Sequence, residues 1–412
     1  MSFTKKFNFA GDIPASKSLY NRYLILKSFE PRIKIFGSSN CEDVRTLEKC
    51  IDSLALNQQV FHCGEGGTTL RFLALRLSRL KGQFTITGNE SLMKRPHSEL
   101  LSIFKQFGVF AKIHEKSIEI ESSGWQPVEC LKVDGQISSQ FYSAILLSAW
   151  DLNFALKISK HIEILSESYF TMTLSTVRQF GLKLEETGGF LIVHPSPLPT
   201  ALGISVEADT SSAFSIAALA VLYGTSTIEN WPHNSLQPDS AFCLILEKMG
   251  AKLKIENNIL KIFQTETLLG ITEDLHNMPD LFPVLAVLCA FAKTSSRLFG
   301  APHLKVKESN RIAKIAELFN LCKIKYRLLD DGLEIFPSVS LHQLHNEGII
   351  FSAENDHRLV MAGHLLKPIF PYLEIKNENA VKKSYPEFLE IFNQSFRVRG
   401  VAENAKTKNQ LA

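Results

Sequence analysis

Three short segments of this chain combine lysine or arginine with hydroxyl, amide or carboxylate side chains. They are residues 15–22 (ASKSLYNR), 306–311 (VKESNR) and 355–358 (NDHR). Cations and hydroxyl groups bind phosphate and carboxylate oxygens, and a carboxylate beside them can move a proton. The pattern predicts an enzyme that binds more than one anionic group and couples binding to proton transfer.

The first segment has the features of a loop that leads into a helix. Pro14 precedes it, and Ser18 and Arg22 are four residues apart, which puts them on one helix face. Free backbone N–H groups in the first turn of a helix favour a bound anion. An ordinary capped helix with solvated charges is the alternative interpretation.

Two further segments contain hydrogen-bond donors and directly precede apolar runs in the sequence. Residues 63–71 (CGEGGTTLR) form a glycine-rich loop without Walker A or dinucleotide-fingerprint spacing, and backbone amides at Gly66 and Gly67 can approach a phosphate closely. A structural tight turn explains the same glycines. Ser138, Ser139 and Gln140 precede the apolar run 144–147, where they either hold a polar substrate or cap a helix.

Two carboxylates are candidates for proton transfer. Asp280 directly precedes the apolar run 281–285, so it is either a helix cap or a general base. Lys307 and Arg311 are four residues apart and can flank one anion, which makes Glu308 a candidate proton donor whose pKa depends on these neighbours. A surface ladder of ion pairs is the alternative for this second group.

Composition narrows the class of protein. A chain of 412 residues is too long for one ordinary core, so two domains are expected. The chain is 45% hydrophobic and 21% charged with a net charge of +3, which describes a globular protein and disfavours a nucleic-acid-binding module. The longest apolar run, 281–292, is too short to span a bilayer, so no membrane association is expected.

Cysteine usage predicts a reducing compartment. Seven scattered cysteines without a Cys-x-x-Cys pair argue against a disulfide framework or a zinc site. The pair His342 and His345 has no third ligand nearby, so we expect a polar surface segment and no metal. The first eleven residues contain no long apolar stretch, and a cytoplasmic location is expected.

A unit of one amphipathic helix followed by two short strands recurs four times. The helices end near residues 108, 181, 250 and 322, which are 73, 69 and 72 residues apart. Glycine at three of these positions suits a helix C-cap, and polar dipeptides between the strands indicate hairpins. The recurrence predicts duplicated βα-containing units, with a domain crossover near the proline-rich stretch 195–199 and a frayed tail after residue 399.

Taken in order, these segments resemble the 5-enolpyruvylshikimate-3-phosphate synthases, a family of enolpyruvyl transferases. The resemblance runs from about Gly11 to Pro386, and only the ordered combination of motifs is specific. Its motifs are Ser16-Lys17-Ser18 with Asn21-Arg22, Gly67-Thr68 with Arg71, Lys94-Arg95-Pro96, Ser138-Ser139-Gln140, Asp209 with Ser211-Ser212, Pro279-Asp280, Lys307-Glu308 with Arg311, Asn355-Asp356-His357-Arg358 and Lys383-Ser384-Tyr385-Pro386.

The resemblance implies an α/β (α+β) fold of two similar domains. Each domain would contain three βαβαββ-type repeats arranged as an inside-out α/β barrel, with the active site in the cleft between the domains. Domain I would comprise residues 1–14 and 208–412, and domain II would comprise residues 15–207. The resemblance also implies a monomer without cofactors.

The family reaction moves the enolpyruvyl group of phosphoenolpyruvate to the 5-hydroxyl of shikimate 3-phosphate and releases phosphate, on the route to chorismate and the aromatic amino acids. By resemblance, Asp280 accepts the hydroxyl proton and Glu308 handles the methylene proton. Lys17 and Lys383 stabilise developing charge.

The resemblance also assigns two sets of binding residues. Phosphoenolpyruvate would contact Lys17, Gly67, Arg95, Gln140, Arg311, Arg358 and Lys383. Shikimate 3-phosphate would contact Lys17, Ser18, Arg22, Ser138, Ser139, Gln140, Ser166, Asp280, His303 and Lys307. Because several cations in one cleft repel one another, we expect ligand binding to draw the domains together and raise stability.

Four departures from the family pattern bear on affinity. Glu65 stands where the family commonly has Asn, Asn310 where it has Asp, His303 where it has Asn or an acidic residue, and Ala15 where it has Gly. Glu65, Asn310 and His303 motivate one alternative, a catalytically weak anion-binding relative. A second is the sister enzyme UDP-N-acetylglucosamine 1-carboxyvinyltransferase, which the Ser-Lys-Ser and Asn-Asp-His-Arg motifs and the lack of a loop cysteine disfavour.

Overall fold

The computed structural model of the chain describes residues 6–135, 138–160 and 164–396, apart from the side chains of Val339 and His342. Strands β1 to β19 span Phe7–Gly11, Lys34–Phe36, Val60–His62, Lys81–Thr87, Phe110–Ile113, Ser117–Ser123, Leu156–Ser159, Leu184–Thr187, Phe190–Val193, Gly203–Ser205, Gly224–Ile228, Lys252–Glu256, Ile259–Phe263, Thr272–Asp274, Ser296–Phe299, Tyr326–Leu329, Gly332–Ile335, Ile349–Ser352 and Leu373–Lys376.

Helices α1 to α13 span Lys17–Lys27, Glu42–Ala55, Gly67–Leu77, Glu90–Met93, Ser98–Gln106, Ser139–Ser148, Glu167–Gln179, Thr210–Tyr223, Phe242–Lys248, Phe282–Ala290, Arg311–Leu321, His357–Leu366 and Phe388–Ser395. Short 3-10 segments cover Pro238–Ala241, Pro279–Leu281, Pro302–Val306, Val339–His342 and Glu378–Lys383. Within the described ranges, no helix has both the length and the apolar composition needed to cross a membrane.

The strands form the repeated pattern that the sequence predicts. Three four-stranded sheets, β3-β4-β6-β5, β1-β11-β13-β12 and β14-β15-β17-β16, share one arrangement: a parallel pair is followed by two antiparallel pairings. The sheet β7-β9-β8 repeats the antiparallel part, and an isolated parallel bridge from Leu131 to Ile158 takes the place of its first strand. The four predicted hairpins are therefore confirmed.

The backbone at the end of the helix in each repeat explains where the strands begin. Gly108, Gly181 and Gly250 adopt φ of +71°, +98° and +85°, the left-handed conformation of a helix C-cap. In the fourth repeat, Lys323 takes this conformation with φ +55°, one residue later than predicted. Strand β16 accordingly starts at Tyr326.

Two separate clusters of buried apolar side chains divide the molecule. We call the cluster within residues 15–206 the insert lobe, and the cluster within residues 7–13 and 208–396 the terminal lobe. At the junction, Ala15 forms a β-bridge with Ala208, and Ser16 N donates to Glu207 O over 2.8 Å. These clusters support the predicted domain boundaries, which stay a prediction.

Buried helices form the centre of each lobe. Helices α1, α3 and α6 pack against one another in the insert lobe, and α8, α10 and α12 do so in the terminal lobe. Every residue of α10 is buried, because a helix that is apolar on all sides has no face for water. Packing therefore fixes the positions of the N-termini of these helices.

Candidate active site

One cleft between the lobes is lined by residues from both of them. The insert lobe contributes, among others, Lys17, Ser18, Arg22, Asp43, Gly67, Thr68, Arg71, Arg95, Ser138, Ser139, Gln140, Ser166 and Tyr169. The terminal lobe contributes Asp280, His303, Val306, Lys307 and Glu308. Many of these residues lie in the first turn of a buried helix or just before it, where free N–H groups favour anions.

Asp280, in the 3-10 turn before α10, is held by two guanidinium groups. Arg311 Nη1 donates to its Oδ1 over 2.7 Å, and Arg358 Nη2 donates to its Oδ2 over 2.8 Å. The hydroxyl of Tyr169 lies 3.5 Å from Oδ2. Burial raises the pKa of a carboxyl, yet the pKa of Asp280 lies well below its ordinary value because Arg358, Lys307 and Arg311 are close. Asp280 is therefore ionised.

Glu308 is surrounded by cations from both lobes. Lys383 Nζ donates to Oε1 over 3.2 Å, and Arg311 Nη2 donates to Oε2 over 3.0 Å. Arg95 of the insert lobe lies 3.9 Å from Oε1. Although burial raises the pKa of a carboxyl, these positive charges hold the pKa of Glu308 well below its ordinary value. Glu308 is ionised as well.

Arg311 is the hub of this cluster and is 1% exposed. It begins α11, and its Nε donates to Oδ2 of Asp356, which is fully buried, over 2.8 Å. Asp356 also accepts from Ser309 Oγ over 3.0 Å and caps α12 by accepting from Arg358 N over 3.0 Å. Asp356 therefore fixes the start of α12 and the orientation of Arg311 together.

Lys17 stands at the start of α1 and faces the cleft. Its Nζ donates to Asp43 Oδ2 over 3.0 Å, and its backbone N–H donates to Asp209 Oδ2 over 3.2 Å across the lobe junction. Burial lowers the pKa of a lysine, but the charges of Asp43 and Glu308 outweigh it and raise the pKa of Lys17. Lys17 is thus a cation in the neutral range and can stabilise developing negative charge.

The glycine-rich loop brings α3 close to two arginines. A Cβ on Gly67 would lie 2.9 Å from Arg95 Nη1 and 3.3 Å from Arg71 Nη1. Gln140, in the first turn of α6, links this region because its Oε1 accepts from Arg71 over 2.6 Å and its Nε2 donates to Thr68 Oγ1 over 3.1 Å. The arrangement presents guanidinium and amide donors to an anion.

Arg22 lies deeper on α1 and has only neutral partners among the described residues. It donates to Thr173 Oγ1 over 2.8 Å, to Tyr169 O over 2.9 Å and to Ser18 O over 2.6 Å. Burial lowers the pKa of Arg22 to about 10. This uncompensated positive charge attracts an anion to the α1 side of the cleft.

Hydroxyl groups and one imidazole surround the same region. Ser138 caps α6 by accepting from Gln140 N over 3.2 Å, and the buried Ser139 follows it. Ser166, with left-handed φ of 55°, lies before α7 with its Oγ 3.3 Å from His303 Nε2. Burial lowers the pKa of His303 to about 3, so its ring is neutral at ordinary pH. These groups offer neutral hydrogen bonds beside Arg22.

Lys307 differs from the other lysines of the cleft. No hydrogen bond or ion pair joins it to another residue in the part of the chain that the structure describes. Burial lowers its pKa, and the nearby Asp280 opposes this effect only in part. A lysine without a partner at a cleft wall is available to a bound anion.

Two departures from the family pattern lie away from the ligands' expected contacts. Asn310 caps α11 by accepting from Ala313 N over 3.1 Å, and its side chain does not line the cleft. Ala15 lies in the β-bridge at the lobe junction.

His345, part of the His pair considered above, packs flat on Phe370, and the described residues contain no group of three metal ligands.

The structure brings all sixteen predicted site residues to this cleft or into direct contact with its carboxylates. Sequence reasoning missed Asp43 and Tyr169 as site residues, and it named Asp356 within the 355–358 motif without giving it a role. Asp43 lies in the first turn of α2, after the N-cap residue Cys41, and an acidic residue is common at that position, so it gives only a weak signal. Tyr169 gives none, because an isolated tyrosine in a helix is ordinary.

Comparison with known proteins identifies the family. The model of the family EPSP synthase (3-phosphoshikimate 1-carboxyvinyltransferase) matches residues 12–392. A 3-phosphoshikimate 1-carboxyvinyltransferase from Pyrococcus abyssi is 34% identical over 331 residues, covering 79% of this chain and 76% of the relative. Another, from Pyrococcus furiosus, is 29% identical and covers 94% and 93%.

Solved structures agree on the fold. The EPSP synthase of Acinetobacter baumannii has a TM-score of 0.75 at 21% identity, over 95% of this chain and 96% of that one. The enolpyruvyl transferase NikO from Streptomyces tendae has a TM-score of 0.69 at 14% identity, over 95% of each chain. The predicted α/β fold is thereby confirmed, and the chain belongs to the EPSP synthase family.

Proposed function

We propose that the chain transfers the enolpyruvyl group of phosphoenolpyruvate to the 5-hydroxyl of shikimate 3-phosphate and releases phosphate. Family membership and the names of the relatives support this reaction. The main observation behind this proposal is a cluster in which Asp280 and Glu308 both accept hydrogen bonds from Arg311. Cations of both lobes lie close to these carboxylates. Such a cluster joins two carboxylates for proton transfer to binding groups for several anionic oxygens.

In the addition step, Asp280 accepts the proton of the 5-hydroxyl while that oxygen bonds to C2 of phosphoenolpyruvate. C3 gains a proton in the same step and becomes a methyl group, which gives a tetrahedral intermediate. In the elimination step, C3 loses a proton and the C2–O bond to phosphate breaks. Glu308 handles the proton at C3 in both steps. Because Glu308 is ionised before the ligands bind, it takes a proton from the ammonium group of Lys383, which donates to its Oε1, and passes that proton to C3 in the addition step. In the elimination step its carboxylate accepts a proton from C3 and returns it to Lys383, and Lys17 and Lys383 also stabilise the developing charge.

The ion pairs of Asp280 explain how a strongly acidic carboxyl becomes a useful base. Arg358 and Arg311 hold its pKa well below the ordinary value. The negative charges of phosphoenolpyruvate compensate those guanidinium groups once the substrate binds. The pKa of Asp280 then rises towards its ordinary value, which strengthens the base only when the substrate is present.

The two binding sets remain assigned as the resemblance implies. Phosphoenolpyruvate is bound by Lys17, Gly67, Arg95, Gln140, Arg311, Arg358 and Lys383. Shikimate 3-phosphate is bound by Lys17, Ser18, Arg22, Ser138, Ser139, Gln140, Ser166, Asp280, His303 and Lys307. The cations and amides near Gly67, and the hydroxyls near Arg22, support this division, and so does Lys307, which has no described partner.

The same proposal covers the state of the protein in the cell. One chain supplies both walls of the cleft, which supports a monomer with residues 15–207 as one domain. None of the seven cysteines forms a disulfide, which supports a cytoplasmic location. Ligand-driven approach of the two domains remains a prediction.

The test is phosphate release from the purified protein given both substrates, with Asp280→Asn as the inactive variant. Asp330→Asn, in an exposed hairpin turn, is the matched control. Release that needs both substrates and falls about 10²–10⁴-fold only in Asp280→Asn supports the proposal. Binding of both ligands without release would favour the weak relative, and release with UDP-N-acetylglucosamine in place of shikimate 3-phosphate would favour the sister enzyme.

A further inference from the structure

Glu65 joins the two lobes through one side chain. Its Oε1 accepts from Asn89 Nδ2 of the insert lobe over 3.3 Å and from Asn355 Nδ2 of the terminal lobe over 3.1 Å. Its Oε2 lies 4.0 Å from Lys383 Nζ, and its backbone carbonyl accepts from the same Nζ over 3.4 Å. Glu65 therefore contacts a proposed catalytic lysine from the opposite side of the cleft.

The glycines around Glu65 hold its backbone in this direction. Gly64 has φ of +56°, a left-handed conformation that residues with a side chain rarely adopt. A Cβ on Gly66 would lie 2.5 Å from Thr69 Oγ1, so the chain passes too close to α3 for a larger residue there. The loop thus aims the carboxylate at the terminal lobe.

Lys383 lies between two carboxylates as a result. Its side chain is 4% exposed, and its Nζ is 3.2 Å from Glu308 Oε1 and 4.0 Å from Glu65 Oε2. Glu65 is 23% exposed at the side chain, so it remains partly solvated while Lys383 is not. A substrate anion that binds Lys383 must compete with Glu65 for the same ammonium group.

We infer that Glu65 is a positioning residue that holds Lys383 and Asn355 across the cleft and acts as an internal competitor of phosphoenolpyruvate. The inference rests on the proposed function of Lys383. The carboxylate has two separable effects: its oxygen fixes the amides of Asn89 and Asn355, and its charge lowers the affinity of the site for an anion. It thereby sets the affinity for phosphoenolpyruvate without contacting shikimate 3-phosphate.

Two variants separate these effects. Glu65→Gln keeps a carbonyl oxygen for the two asparagines and removes the charge. We expect it to lower KM for phosphoenolpyruvate by about 2- to 5-fold, the range of a partly exposed ion pair, and to leave KM for shikimate 3-phosphate unchanged. Glu65→Ala removes both effects. We therefore expect kcat to fall in Glu65→Ala and to be retained in Glu65→Gln.

Salt and a matched control sharpen the measurement. The gain in Glu65→Gln shrinks at high ionic strength, since salt screens a partly exposed charge. Glu90→Gln removes a carboxylate of the same lobe that is 77% exposed and paired with Lys94, and it leaves both KM values unchanged. Steady-state kinetics with each substrate varied in turn, at two salt concentrations, gives all of these values.

An unchanged or higher KM for phosphoenolpyruvate in Glu65→Gln overturns the inference. Equal changes in both KM values also overturn it, because they indicate a general structural defect. If the wild type releases no phosphate, the proposed function fails instead. In that case, the affinity for phosphoenolpyruvate is measured by calorimetry. The proposed role of Glu65 requires that Glu65→Gln bind phosphoenolpyruvate more tightly than the wild type does.

Discussion

Asp280 and Glu308 accept hydrogen bonds from the same guanidinium group, that of Arg311, over 2.7 and 3.0 Å. The third edge of that group is held by Asp356 over 2.8 Å. The two carboxylates proposed for proton transfer therefore have a fixed geometry relative to each other. A change in the charge of either one alters the pKa of the other through this shared cation.

Removing the Arg311 guanidinium should destabilise the fold strongly. Asp356 is fully buried, and Arg311→Met removes its main cation. Removing one partner of a buried ion pair lowers the free energy of unfolding by about 3–5 kcal/mol. Equilibrium urea unfolding measures this loss in the free energy of unfolding. Arg327→Met removes a guanidinium that is 68% exposed and paired with Glu334, and it should change stability by at most about 0.5 kcal/mol. Equal losses in the two variants would contradict the hub role of Arg311.

Much of the site was predictable because short motifs carry it. Lys17, Ser18 and Arg22 share one helix, and Lys307, Glu308 and Arg311 share one turn and helix start. Hairpins such as β12–β13 were also predictable, since alternation and the Asn257-Asn258 turn are local signals. Local patterns are therefore sufficient for the elements and for many residues that line the cleft.

The partners of those residues were not predictable. Lys17 pairs with Asp43, 26 residues away, and Glu65 contacts Asn355, 290 residues away. Nothing in either segment specifies the other, because such contacts follow from how the lobes pack. The sequence shows that Glu65 departs from the family pattern, but it does not show which residues Glu65 contacts. Packing of the lobes supplies Lys383 and two asparagines.

His303 should make stability depend on pH below neutrality. Burial lowers its folded-state pKa to about 3, whereas an unfolded histidine has a pKa near 6.5. Between these values the unfolded chain binds a proton that the folded chain does not. The stability contribution of the neutral ring is thus complete above about pH 6.5 and decreases as the pH falls towards 3.

His303→Asn tests this dependence because Asn cannot titrate. Between pH 7 and pH 5 the variant should lose less free energy of unfolding than the wild type, by up to about 2 kcal/mol. Urea unfolding at both pH values gives the difference, and other buried histidines such as His364 cancel in the comparison. The same loss in both proteins would show that His303 is not held neutral by the fold.

Gly67→Ala should weaken phosphoenolpyruvate binding without unfolding the protein. The added methyl group would lie 2.9 Å from Arg95 Nη1, and the end of this flexible side chain must move. Loss of one charge-assisted hydrogen bond predicts a rise of roughly 10-fold in KM for phosphoenolpyruvate, with little change in Tm. Gly348→Ala places a methyl group in open space and serves as the control. An unchanged KM would mean that Arg95 does not bind this substrate.

Lys307→Met should weaken shikimate 3-phosphate binding while the fold stays at least as stable. Lys307 is a cation that burial disfavours and that no described residue pairs with, so an apolar side chain of similar length removes an unfavourable charge. A lost hydrogen bond to a charged ligand predicts a rise of about 10- to 100-fold in KM for shikimate 3-phosphate. Lys305→Met, at an exposed position two residues away, should leave both KM and Tm unchanged. A lower Tm together with an unchanged KM would instead make Lys307 a structural residue, because only a ligand contact combines weaker binding with retained stability.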